Sequence, residues 1–259
     1  MKNQMKPFIY IASLRRTGSK VLSEALSLHP YSFIFREPRI GSGRFKARPV
    51  DIEILAKHGV DPSTFQHRIS GIKRELAAER FKKEVLPELL RVFLQIGIKE
   101  IHHKRWRNVY RAFPDMKVVL TGRDPRYICL SHYYKSIERE IAIKVGGPFT
   151  PQNVAQNLRQ DFKYQMEMFK TLECLKVRYE DFCTDPKIFE SIKAFVESDI
   201  PGIGIIGQLS KYDYLTHGYT VTDKRVFRWK NERDKRLLSE AKEVFDNLRD
   251  YCKFWEYKK

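Results

Sequence analysis

The sequence predicts an α/β fold of three layers, with helices on both faces of a mostly parallel central sheet, and three observations carry that reading. Short apolar runs rich in β-branched and aromatic residues alternate with segments of helical periodicity. Three helices announce their starts at Asp124-Pro125, Thr150-Pro151 and Asp185-Pro186, where a capping side chain precedes a proline whose missing N–H is not needed at the first helical position. The corner after the first apolar run is small, polar and basic, as at a ligand-binding strand end. Such alternation implies crossover helices and a sheet buried on both sides.

In chain order, FIYIA (8–12) is the first strand and a helix follows over 18–28. SFIF (32–35) is the second strand. A helix over 75–94, a strand at IGIKEI (96–101) and a helix over 104–113 come next, then KVVLT (117–121) and the helix 125–143. Helix 151–171 follows Thr150, CLKVRY (174–179) is the last strand, and helices over 186–198 and 232–253 complete the chain. Two stretches fit neither period. They are the region 36–70, which opens on the basic, glycine-containing REPRIGSGRFKARP, and 200–234, glycine-punctuated early and basic late. Both read as substrate-side loops of one domain spanning 1–259, because neither has the length or core of a separate unit.

Lys and Arg outnumber Asp and Glu by 49 to 32, a formal charge of +17 that favours anionic partners. Basic residues interleave with aromatics at RWRNVYRAF and KRVFRWKNER, which keeps a polyanion- or nucleic-acid-binding protein as an alternative reading. Helical spacing turns many of those aromatics inward, however, and no nucleic-acid motif accompanies them. Four cysteines without metal-ligand spacing suit a reduced compartment, and no apolar run approaches the roughly 20 residues of a membrane span. The expectation is a soluble, cytoplasmic protein.

The stretch IASLRRTGSKVL (11–22) has the strand, turn and helix of a phosphate-binding loop, in which backbone N–H groups converge and the helix dipole adds to them. Gly18 permits close approach, Thr17 and Ser19 offer hydroxyls, and Arg15, Arg16 and Lys20 offer charge. A nucleoside triphosphatase loop reads GxxxxGK followed by Ser or Thr, the hydroxyl holding magnesium. Here the first glycine is missing and Lys20 comes after Ser19. The fold is therefore P-loop NTPase-like, with an anion loop for which no metal is expected; a P-loop kinase is the other enzymatic reading.

A second anion site is expected at VVLTGRDPRYICLSHYYK (118–135). Arg123 ends an apolar strand at the ligand-binding edge, and Ser131, seven residues past Asp124, returns to the same helix face. Guanidinium and hydroxyl can then grip one phosphate, although either residue alone could equally serve a surface ion pair or its own helix backbone.

With both sites in order, the chain resembles the sulfotransferases that use 3′-phosphoadenosine 5′-phosphosulfate (PAPS). The matching stretches are LRRTGSKVLSEAL, FREP, FPDMKVVLTGRDPRYICLSHYY and VRYEDFCTDP. The resemblance implies that Arg15, Arg16, Thr17, Gly18, Ser19 and Lys20 hold the 5′-phosphosulfate, that Arg123 and Ser131 hold the 3′-phosphate, and that Tyr179 lies near the adenine. More loosely, it assigns Lys224, Arg225, Arg228 and Trp229 to a segment closing over the nucleotide, for which a solvated basic face is an equal reading. It implies in-line transfer of the sulfuryl group to a hydroxyl or amine acceptor, with Glu37 as general base and Arg15 and Lys99 at the reacting group; His102 and His103 are the reserve bases. Its pattern more often has serine at the place of Thr17 and a hydroxyl at the place of Lys20, which leaves the role of Lys20 open. Basic segments 39–49, 102–111 and 136–147 suit an acidic or carbohydrate acceptor, but nothing in the sequence selects one.

Overall fold

The computed structural model describes residues 5–69, 73–139, 150–201 and 226–259. Its five strands, β1 (Ile9–Ser13), β2 (Ser32–Arg36), β3 (Gln95–Glu100), β4 (Lys117–Gly122) and β5 (Cys174–Arg178), form one sheet in the order β2-β3-β1-β4-β5. Every pairing in it is parallel. The alternation of side chains along β1 explains the three layers. Ile9 and Ile11 join the cluster under α1 (Ser19–Ala25), while Phe8, Tyr10 and Ala12 join the larger cluster on the opposite face. Each fully buried aliphatic side chain contributes roughly 1.5–3 kcal/mol.

The region expected to be a loop between β2 and β3 contains helices α2 (Pro49–Lys57) and α3 (Ser63–Ile69). Ile54, Leu55, Phe65 and Ile69 are buried in the larger cluster, so tertiary packing supports helices in a region whose opening is basic and glycine-containing. The continuous helix expected over 75–94 is instead α4 (Ala77–Arg80), a π-helical turn (Phe81–Val85) and α5 (Leu86–Leu89). Pro87 is the reason: it cannot donate to the carbonyl four residues back and its ring crowds that carbonyl, so the turn before it widens.

Helices α6 (Trp106–Ala112), α7 (Pro125–Arg139) and α8 (Pro151–Thr171) follow. The last strand ends one residue earlier than expected: Arg178 is both its end and the N-cap of a short helix, α9 (Tyr179–Thr184), so Tyr179 opens a helix. Then come α10 (Pro186–Phe195), α11 (Lys235–Asp246) and α12 (Arg249–Trp255). The expected helix 232–253 is thus broken at Asn247–Leu248, where no proline or glycine marks the sequence. The break lets α12 turn onto β4, and Trp255 packs where a Cβ on Gly122 would stand only 2.3 Å away. Most of the 200–234 segment lies outside the described residues. Among the described residues no helix is long and apolar enough to cross a membrane.

Candidate active site

The site forms at the C-terminal edge of the sheet, where neighbours β1 and β4 lead to connections on opposite sides and leave a crevice. Gln165 of α8, fully buried, holds the two strand ends together by donating its amide to Ala12 O (2.7 Å) and Thr121 O (3.1 Å). The β1 loop is then shaped by two left-handed residues, Arg16 (φ 69°) and Gly18 (φ 75°). A Cβ at Gly18 would lie 2.0 Å from the ring of Tyr179, so both backbone angle and space demand glycine. No side chain caps α1 at Gly18, and the first N–H groups of a helix have no partners within it.

The loop side chains divide between two tasks. Thr17 turns inward, its hydroxyl donating to Leu14 O (2.8 Å) and meeting Thr121 Oγ1 at 2.9 Å, which fastens the loop to β4. Ser19 is buried as the first residue of α1. Arg16 crosses the crevice and its Nε–H donates to Ser131 Oγ (2.8 Å). Sequence spacing paired Ser131 with Arg123, whereas the bond formed is to Arg16, which couples the two expected anion sites directly. Half-buried Lys20 has Nζ 3.8 Å from Glu24 Oε1, and burial lowers its pKa.

Arg123 lies between two tyrosines, its Cζ 3.3 Å from the Tyr127 ring centre and 3.6 Å from that of Tyr179. Because Tyr179 also packs on Gly18, one ring joins the loop after β1 to the arginine after β4. The Arg123 backbone is held on both sides by Tyr251 of α12, whose hydroxyl accepts from Arg123 N–H (2.9 Å) and donates to Arg123 O (2.8 Å).

Across the crevice, Glu37 follows β2 with φ 59° and donates its N–H to Lys99 O (2.6 Å). One carboxylate oxygen meets Lys99 Nζ at 2.6 Å, and the other accepts from the Arg48 guanidinium. Burial alone would raise the Glu37 pKa, but Lys99 and then Arg48 hold it below the usual carboxylate range. Behind it Arg36 pairs with Asp51 (2.9 Å) and Glu24 (3.2 Å), and burial carries Glu24 up to about 7. The two histidines differ sharply. His103 is buried with Nδ1 3.1 Å from Tyr10 OH and Nε2 2.7 Å from Ser13 O, and burial lowers it to about 4, so it is a neutral internal link. His102 is exposed with Nε2 3.4 Å from Arg15 Nη2; desolvation and then the charge of Arg15 lower its pKa.

A basic, glycine-bent loop after β1 is joined by Arg16 to Ser131 and by Tyr179 to Arg123 after β4, and residues 7–196, which hold all of these, match a family model described as the sulfotransferase family. The chain belongs to the sulfotransferase family. No curated protein matches it in sequence. Among solved structures it is similar to the sulfotransferase domain from the curacin biosynthetic pathway, at a TM-score of 0.61 and 15% identity over 95% of this chain and 99% of that one. It is also similar to a sulfotransferase from Alicyclobacillus acidocaldarius, at 0.53 and 15% over 98% and 97%. A third is the sulfotransferase domain from the Synechococcus PCC 7002 olefin synthase, at 0.50 and 14% over 99% and 98%. At these identities the likeness is one of fold.

Within this sulfotransferase, Trp229 stacks on Arg126, with Cζ 3.8 Å from its ring centre, and Phe245 lies 4.4 Å from the same Cζ. Arg126 in turn grips Asp124 through Nε and Nη2, so Trp229 supports the β4–α7 corner. Lys224 and Arg225 lie outside the described residues. Four residues of the site escaped the sequence reading. Arg48 carried a signal, since it precedes Pro49 as Thr150 precedes Pro151. Asp161 and Gln165 are a polar pair one turn apart on α8, and burial raises Asp161 to about 6 against the opposing charge of Arg15. Tyr251 carried none.

Proposed function

We propose that the protein transfers a sulfuryl group from PAPS to a hydroxyl acceptor. The supporting observation is the joined pair of basic corners at the β1/β4 crevice, with the Glu37–Lys99 pair facing them from β2 and β3. A nucleotide with phosphates at both ends of its ribose fits that spacing of charge: Arg15, Arg16, Lys20 and the loop amides at the 5′ end, Arg123 at the 3′ end, with Tyr179 between them. The loop also lacks the lysine-then-hydroxyl order through which a magnesium-dependent kinase holds its metal.

In this reading Glu37, kept ionised by Lys99 and Arg48, orients the acceptor hydroxyl and takes its proton as the new S–O bond forms. Arg15 and Lys99 neutralise charge on the transferring oxygens. As the bond to the 5′-phosphate breaks, the electron pair passes to the phosphate oxygen, where Arg16, Lys20 and the loop amides stabilise it. A carboxylate with a lowered pKa is a weak base, which suits a transition state in which bond breaking leads and the proton leaves late.

Thermal shift decides between donors. Adenosine 3′,5′-bisphosphate should raise the melting temperature by several degrees, ATP with magnesium should not, and Arg123→Ala should remove most of the shift. A shift with ATP and magnesium alone would overturn the proposal.

A further inference from the structure

Several cations at this edge of the sheet are paired with carboxylates: Arg36 with Glu24 and Asp51, Arg48 and Lys99 with Glu37. Three that share one cavity are not. Arg39, Lys104 and Arg105 line a cavity of about 180 Å³ between the turn Ile40–Ser42 and the start of α6, and among the described residues none of them forms an ion pair. Trp106 supplies an apolar wall and His102 a further polar face. The single carboxyl in the lining, Glu100, is buried and accepts from Arg39 N–H at 2.6 Å. Burial lifts it to about 8, so near neutral pH it is mainly the uncharged acid and does not repel an anion.

The cavity also adjoins the reacting edge. His102 in its lining is 3.4 Å from Arg15 of the donor loop, Glu100 directly follows Lys99, and Arg39 lies two residues beyond Glu37. We propose that this cavity is the acceptor subsite and takes an acceptor bearing its own anionic group, a carboxylate, phosphate or sulfate, set back from the hydroxyl that receives the sulfuryl group. The inference rests on the sulfotransferase reading and deepens it by naming the substrate class. Physically, three cations sharing one partly enclosed space repel each other until an anion enters, and the charge-assisted bonds it makes are stronger than neutral ones. Trp106 and Val109, both almost fully buried, form an apolar wall for the carbon skeleton that carries the group.

The test titrates phenyl phosphate, benzoate and neutral benzamide by calorimetry into protein saturated with adenosine 3′,5′-bisphosphate, so that the donor site is already filled. Phenyl phosphate and benzoate are expected to bind at one site at least about ten-fold more tightly than benzamide. The triple variant Arg39→Gln, Lys104→Gln, Arg105→Gln should abolish that preference, and its binding of the bisphosphate serves as the check that it folds. Sulfation of matched acceptors, 4-hydroxyphenylacetate against its amide, should show the same preference in KM. Equal binding of the charged and neutral probes, or a preference that survives the triple variant, overturns the inference. Failure of the wild-type protein to bind the bisphosphate overturns the donor reading instead, and the same probes on the free protein and its variant still report on the cavity.

Discussion

Tyr251 closes both hydrogen-bonding groups of the Arg123 backbone with one hydroxyl, accepting at 2.9 Å and donating at 2.8 Å. The two residues are 128 positions apart, and Tyr251 lies beyond the stretch that matches the family model. The orientation of the arginine after β4 therefore depends on the C-terminal helix. Tyr251→Phe keeps the ring and leaves a buried N–H and C=O of Arg123 unanswered, at an expected cost of about 1–3 kcal/mol in denaturant unfolding. If Arg123 holds the 3′-phosphate, the variant should also lose roughly ten-fold in affinity for adenosine 3′,5′-bisphosphate while binding adenosine 5′-phosphate as before. A parallel loss for both nucleotides would mean that the tyrosine supports the fold alone.

Gly18 and Tyr179 make a second testable contact. Gly18→Ala introduces a Cβ 2.0 Å from the ring at a left-handed backbone position, and each effect is destabilising. The backbone term alone is about 1 kcal/mol. In a Tyr179→Leu background the steric part should shrink and the backbone part should persist. The double-mutant cycle then reads a coupling of about 0.5–3 kcal/mol, and strict additivity would show that the ring does not pack on the loop.

How much of this was legible in the sequence follows from how local each cause is. All five strands are where apolar, β-branched runs placed them: β1 to β4 are buried almost throughout and so are apolar along most of their length, while half-buried β5 at the edge carries its signal in Leu175 and Val177. The loop at 14–20 and the arginine at 123 were legible for the same reason: strand ends and helix starts fix them. Helices α2 and α3 were not, since burial in the larger cluster stabilises them, through Ile54 and Leu55 of α2 and through Phe65 of α3, which packs on Phe45. Nor was the exchange of partners at Ser131. Helix geometry puts Ser131 on the correct face of α7, but whether Arg16 or Arg123 reaches it depends on the left-handed turn at Arg16 and on the two tyrosines that hold Arg123 elsewhere. His103 shows the same limit, because its sequence neighbour His102 is exposed while Tyr10 and Ser13 of β1 bury it.

The Glu37–Lys99 pair predicts a pH profile. Lys99 and Arg48 depress the Glu37 pKa, so the carboxylate persists well into acid and activity should fall only as pH drops through that lowered value. Lys99→Met removes the cation that lowers the Glu37 pKa most and leaves burial less opposed. The acid limb of the kcat/KM profile should then move to higher pH, and, if Lys99 also neutralises the transferring oxygens as proposed, turnover should fall at every pH. Glu37→Gln should abolish that limb and lower kcat by about 100-fold or more. Retention of full turnover by Glu37→Gln would remove Glu37 from the role of base.

Glu100 allows a stability prediction of opposite sign. Its folded pKa is raised to about 8 from an ordinary value of 4.5, chiefly by burial, so between those values the folded protein holds a proton that the unfolded chain has released. Stability contributed by the neutral acid is complete below about pH 4.5, declines as pH rises, and levels off above about 8. Glu100→Gln is neutral at every pH, and its amide oxygen can still accept from Arg39 N–H. The variant should therefore match the wild type near pH 4.5, gain melting temperature steadily towards pH 8, and hold a constant advantage beyond it. Melting curves at pH 5, 6.5, 8 and 9 measure the trend, and an advantage independent of pH would show that the buried carboxyl does not titrate in this window.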